Sequence, residues 1–325
     1  LYIPYYLTFS GSTSGVEPVA AATTRPIHLF IVWGVYLVAI VPFVFVTFSR
    51  SKVTRDWPWI TGLALLIGFG PYIAWVFLSA ESEGTGGELV SRLFKVMPLI
   101  ALVSAAAYTT VWASGRRDRD GRLFALVLAG LGLLLIMGPE LLYVGDSFNT
   151  RMNTVFKLYY QGWVLLSIAT GYTVYYWSSI RESLSGWGRW LSTAWAGAFI
   201  VLLLGSLYYA PAAATSKGDP FNGDATLDGL AYIDLQHPAE NEAIAFLRDN
   251  AGRDSAVLEA VGDDYTEFGR ISSSTGLPTV FNWPGHEVQW RGDTAKFDGR
   301  AEHVAEIYQT QDAQRAENLL ARYDV

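Results

Sequence analysis

Six mostly apolar stretches dominate the first two-thirds of the chain, at about 27–48, 57–80, 93–112, 123–144, 155–177 and 190–210. Each is close to the roughly 20 residues a helix needs to cross the hydrocarbon layer, so six transmembrane helices are expected. Pro42 and Pro71 fall inside the first two runs and predict kinks there. Trp57, Trp59, Trp112, Trp177 and Trp190 stand at run ends, where aromatic belts form. Beyond Pro211 the pattern changes. A Gly/Asp-rich linker, Ser216–Gly229, leads to ENEAIAFLRDN, which sets Ala243, Ile244, Phe246 and Leu247 on one helical face. The short apolar runs SAVLEA (255–260) and GLPTVF (276–281) read as strands, and Arg300–Arg322 as one or two helices. Alternating helix and strand predict a small α/β domain with a parallel sheet. The expected architecture is thus an α-helical polytopic membrane domain over 1–211 followed by a small α/β domain over 212–325.

Charge follows the same boundary. Residues 1–211 carry 14 Lys/Arg against 10 Asp/Glu, and residues 212–325 carry 9 against 20, a net of +4 followed by −11. Within the first part, the loops 49–56, 113–122 and 178–189 hold nine bases, while 81–92 and 139–154 hold two. Basic loops stay in the cytoplasm. This orientation puts residues 1–25, the 138–163 stretch and the C-terminal domain outside, in a multi-pass protein of the plasma membrane. The acidic balance excludes nucleic acid as a partner, and the absence of cysteine excludes disulfides and thiolate metal sites. The opening LYIPYYLTFSG has no basic n-region, and NLLARYDV stops where a helix hands over to a strand. Both ends are therefore expected to be cut from a longer protein, with the C-terminal domain truncated.

No Asp, Glu, Lys, Arg or His lies near the centre of any apolar run, and no internal repeat is evident. Ion-coupled transporters place such groups at the midplane, so the polar chemistry is expected at the outer rim. It concentrates in GPELLYVGDSFNTRMNTVFKLYYQGW, residues 138–163, which carries Glu140, Asp146, Arg151, Asn153, Lys157 and Gln161 between two apolar runs. Arg151 and Lys157 fall in the first turns of a helix, whose N-terminus is already partly positive. Two explanations fit. A phosphate is bound there, or Glu140 and Asp146 neutralise the two cations.

A second concentration follows the two expected strands, where functional loops of α/β domains gather. GDDYTEFGR holds Asp263, Asp264, Tyr265, Glu267 and Arg270, and NWPGHEVQWRG holds Trp283, His286, Glu287, Gln289, Trp290 and Arg291. Aromatic faces beside Arg suit a sugar or a phosphate. A capped turn with Trp283 packed on the membrane rim is the alternative. A lone His–Glu pair lacks metal-ligand spacing, so no metal and no cofactor are expected. The paired tyrosines 5/6, 159/160, 175/176 and 208/209 read as interfacial anchors.

The blocks GDSFNTRMNTVFKLYYQGW and LEAVGDDYTEFGRISSSTGLPTVFNWPGHEVQWRG, with the tyrosine pairs, resemble the tyrosine-rich "YYY" family of large multi-pass membrane proteins of unknown function. That family is similar to the GT-C glycosyltransferases, which include the protein mannosyltransferases. The resemblance implies a polyprenyl-phosphate sugar donor held at the outer membrane face, and an envelope glycan or protein as acceptor. It also implies a carboxylate that activates the acceptor, in an outer loop expected before Leu1. On the residues present, Arg151 and Lys157 would hold the carrier phosphate, with Arg291 beside them. Glu140 and Asp146 would be the reserve base or orienting groups. Asn153, Gln161, Asp264, Tyr265, Glu267, Trp283, His286, Glu287 and Trp290 would contact sugar or acceptor. A lipid-linked sugar flippase and a non-catalytic assembly protein are the alternatives.

Overall fold

The computed structural model describes residues 13, 15–20, 23–51, 57–80, 86–115, 121–146, 148–218, 226–252, 254–291 and 294–325. Residues 14–220 form one compact unit, and those from 221 onward belong to another. In the first unit the apolar runs are long helices: α1 (Pro26–Ser49), α2 (Trp57–Ser79), α3 (Gly86–Ser114), α4 (Gly121–Met137), α5 (Met152–Arg181), α6 (Trp187–Leu207) and the short α7 (Tyr209–Lys217). Among the described residues, five segments are long and apolar enough to span a bilayer: α1, α2, α3, Gly121–Glu140, and Trp187–Lys217. The expectation was six. The remaining run lies in α5, a 30-residue helix made less apolar by Lys157, Gln161, Ser167, Thr170 and Thr173. Lys52, Arg55, Arg116, Arg117 and Arg119, on which the expected orientation leaned, lie outside the described residues, as do Tyr2, Tyr5, Tyr6 and Phe9.

Helix packing explains the core. α4 lies against both α3 and α5, α2 against α3, and α1 against α3, α5 and α6. Trp33, Ile40, Phe43, Ile100, Leu126, Leu133, Ile136, Met137 and Leu166 are buried where these helices meet. Lipid tails are as apolar as Leu, so association here rests on close packing rather than on the hydrophobic effect. Gly132 makes that packing possible between α4 and α5. A Cβ there would come within 2.5 Å of Leu166 Cδ2, and the Gly162 carbonyl oxygen lies 3.5 Å from the same point.

Two short strands tie the ends of this unit's first loop to the end of α4. β1 (Gly15–Pro18) pairs antiparallel with β2 (Leu142–Gly145), setting Glu17 opposite Tyr143. The Tyr143 hydroxyl donates to Glu17 Oε2 at 2.6 Å. That bond to the carboxylate, with some burial, pushes the Tyr143 phenol above its ordinary range.

The second unit is helical rather than α/β. It contains α8 (Ala231–Gln236), α9 (Pro238–Asn250), α10 (Arg270–Thr275), α11 (Pro284–Arg291), α12 (Arg300–Gln309) and α13 (Ala313–Arg322). The two expected strands run side by side but join only in an isolated parallel bridge, Val257 with Thr279. Val257 N donates to the Pro278 carbonyl at 2.9 Å, and the next bond of this kind is Gly262 N to Asn282 O at 3.0 Å. Pro278 has no N–H to return, and a proline inside a would-be strand breaks the ladder.

Candidate functional site

α4 ends in a 3-10 turn, Gly138–Glu140, opened by a proline in its first positions. The chain then enters β2, and this reversal carries Glu140 inward until it is 3% exposed. Four donors surround its carboxylate. Thr24 N and Oγ1 donate at 2.7 and 2.6 Å, the Tyr159 hydroxyl at 3.4 Å, and Arg151 Nη1 forms an ion pair at 2.9 Å. An ionised carboxylate offers about four lone-pair sites, so Glu140 is saturated. Its lone-pair sites are taken up by these contacts.

Two guanidiniums converge on the same turn. Arg151 is the N-cap residue of α5; its Nη1 also donates to the Pro139 carbonyl at 2.9 Å and its Nη2 to Thr24 Oγ1 at 3.1 Å. Arg92, in the second turn of α3, donates to the Glu140 carbonyl at 3.2 Å and to the Val19 carbonyl at 3.0 Å. Its guanidinium stacks over Trp75 at 5.0 Å, and Trp75 Nε1 donates to the same Val19 carbonyl at 3.2 Å. Thr24, Arg92, Trp75 and Tyr159 are parts of this site that residue type and spacing did not single out. A cation in an apolar helix, as Arg92 is, was the available signal, since such groups pair or serve function.

Beside the cluster lies a groove of about 1060 Å³ between α1, α5 and the α6–α7 junction. Ile31, Val32, Val155, Phe156, Tyr160 and Trp163 make its walls apolar, and Gly205, Ser206 and Tyr209 form the opposite side. Arg151, Tyr159 and Trp33 line it as well, so the groove reaches the buried cluster. The Arg151 side chain is 20% exposed. The Trp33 indole N–H is buried and makes no hydrogen bond among the described residues.

The other residues expected in this site are placed differently. Lys157 is exposed, is not part of the groove wall, and makes no ion pair among the described residues. Asp146 accepts from Phe148 N at 3.0 Å and from Asn153 Nδ2 at 2.7 Å, which fastens the loop to the first turn of α5. Gln161 is exposed. The expected pairing of both acids with both cations is therefore reduced to Glu140 with Arg151.

In the second unit Tyr265, Trp283, His286 and Trp290 form one aromatic cluster. Tyr265 lies 5.4 Å from Trp283 and 5.5 Å from His286, centroid to centroid. Trp290 Nε1 donates to His286 Nε2 at 2.9 Å, and the Tyr265 hydroxyl donates to Gln289 Oε1 at 3.3 Å. Asp264 Oδ1 accepts from Gly285 N at 3.0 Å, and Glu287 pairs with Arg291 one turn on. Glu267 is exposed at the loop tip. A carboxylate absent from the expected set, Glu259, is buried and caps α10, accepting from Ile271 N at 2.8 Å and Ser272 N at 2.9 Å. Among the described residues no group of three or more His, Asp or Glu could hold a metal ion.

Several long apolar helices around a buried ionic cluster define a multi-pass membrane protein. The chain belongs to the family described as "Uncharacterized membrane protein (DUF2298)", which matches residues 1–166. The match takes in Thr24, Arg92, Glu140, Arg151 and Tyr159 and stops short of residues 221–325. No curated protein and no solved structure matches the chain.

Proposed function

We propose that the membrane unit holds a polyprenyl-phosphate-linked sugar at the outer membrane face and transfers the sugar to an envelope acceptor, with the second unit on the same side. The observation that carries this reading is the apolar groove ending on Arg151. Its walls suit a long hydrocarbon chain. Its polar end presents a guanidinium, which matches phosphate geometry in a fork. Glu140, Thr24 and the Pro139 carbonyl hold Arg151 in place before any ligand arrives, and charge fixed in advance against a departing phosphate is often the largest part of a catalytic effect. Glu140 and Asp146 serve as orienting groups in this scheme. The aromatic cluster of Tyr265, Trp283, His286 and Trp290 offers faces on which a sugar stacks.

The test uses native membranes containing the full-length protein and a donor labelled in its sugar. Label is expected to leave the lipid fraction with the wild type and to do so about 100-fold more slowly with Arg151→Gln. Equal rates for the two proteins would refute the transferase reading. The saturated Glu140 cluster favours a second reading, a non-catalytic assembly protein. That reading expects neither transfer nor a retained lipid.

A further inference from the structure

The second unit contains a small cavity of about 110 Å³ with Arg291, Lys296 and Arg300, and the carboxylate of Glu287, in its wall. Residues 221–325 hold 8 Lys/Arg against 19 Asp/Glu, so three of only eight cations meet at one cavity in a strongly acidic unit. Two of the three are steadied by neighbours. Arg291 pairs with Glu287, and Arg300 donates to the Val280 carbonyl at 3.1 Å while lying over Tyr323 at 5.6 Å. Lys296 is exposed and makes no ion pair or hydrogen bond among the described residues. The Thr279 hydroxyl, in the same wall, is buried and has no hydrogen-bond partner among the described residues. A buried hydroxyl left unpaired is unfavourable, and an incoming oxygen would give it a partner. The floor is apolar: Phe281 and Phe297 stack at 5.1 Å with their planes 26° apart.

We propose that this cavity binds a small oxyanion, the phosphate or carboxylate group of a soluble ligand. Lys296 and Arg291 meet its charge, Thr279 donates to one oxygen, and the Phe281–Phe297 stack supports the ligand's organic part. Neither the groove nor Arg151 is needed for this site.

Isothermal titration of the full-length protein in detergent micelles tests it, using sodium phosphate and sodium acetate against sodium chloride at matched ionic strength. Saturable one-to-one binding of phosphate or acetate is expected, about tenfold weaker in Lys296→Gln, the equivalent of roughly 1.4 kcal/mol. Phosphate alone binding identifies a phosphoryl ligand, and acetate binding as tightly identifies a carboxylate. Heats equal to those of chloride, or wild-type affinity in Lys296→Gln, would overturn the proposal. So would binding lost in Arg151→Gln but kept in Lys296→Gln, which assigns the anion to the groove.

Discussion

Glu140→Ala is expected to destabilise the membrane unit by about 3–5 kcal/mol, the cost of removing one partner from a buried ion pair. The carboxylate is 3% exposed and answers Thr24, Tyr159 and Arg151 together. Without it Arg151 loses its counter-charge and the Thr24 N–H its acceptor. Arg92 adds a second guanidinium at the same turn, and the acid next facing it is Glu88 in the first turn of α3. Glu140→Gln keeps the shape and one acceptor oxygen but not the charge, so its loss should fall between wild type and Glu140→Ala. Unfolding of the full-length protein in detergent micelles measures both. Stabilities within about 0.5 kcal/mol of wild type, the size of an ordinary surface substitution, would show that the cluster does not hold α4, β2 and α5 together.

Trp33→Ala should cost about 3 kcal/mol, the lower end for a buried aromatic truncation. Trp33 is 1% exposed, meets Tyr159 edge-on at 5.0 Å, and sits within 3.5 Å of where a Gly162 Cβ would stand. In lipid the transfer part of the loss shrinks, while the lost packing contacts remain. The variant also joins the groove to the core behind it. A faster unfolding rate in micelles is the readout, and an unchanged rate would mean that α1 and α5 do not depend on this contact.

The membrane helices were legible because a bilayer demands long apolar runs: each of the six runs falls wholly or largely in a helix, and among the described residues five segments are long and apolar enough to span. The site was less so. Arg151 and Lys157 are close in sequence, yet six residues at 100° each put them about 120° apart around a helix. Arg151, Val155 and Tyr159 share a face by the four-residue spacing instead, and that face is the one the groove uses. Contacts of Glu140 with Thr24 and of its carbonyl with Arg92 join residues 116 and 48 positions apart, which no local pattern encodes. In the second unit the apolar runs at 255–260 and 276–281 read as strands by composition, but Pro278 removed the donor a ladder needs there. The loops after them still met, because Gly262 N reaches the Asn282 carbonyl and Asp264 reaches Gly285 N. That is why Tyr265 found Trp283 and His286 in the absence of a sheet.

Gly205 gives access to the apolar groove. It lines the groove, and a Cβ placed there meets nothing within 4 Å, so Gly205→Trp puts its bulk into the groove without straining the backbone. Native mass spectrometry of the full-length protein, released gently from its own membranes, is the decisive measurement. One lipid phosphate per wild-type chain, absent from Gly205→Trp chains that unfold at the same temperature, is the predicted result. The same bulk phospholipids on both proteins in the same amounts would contradict it.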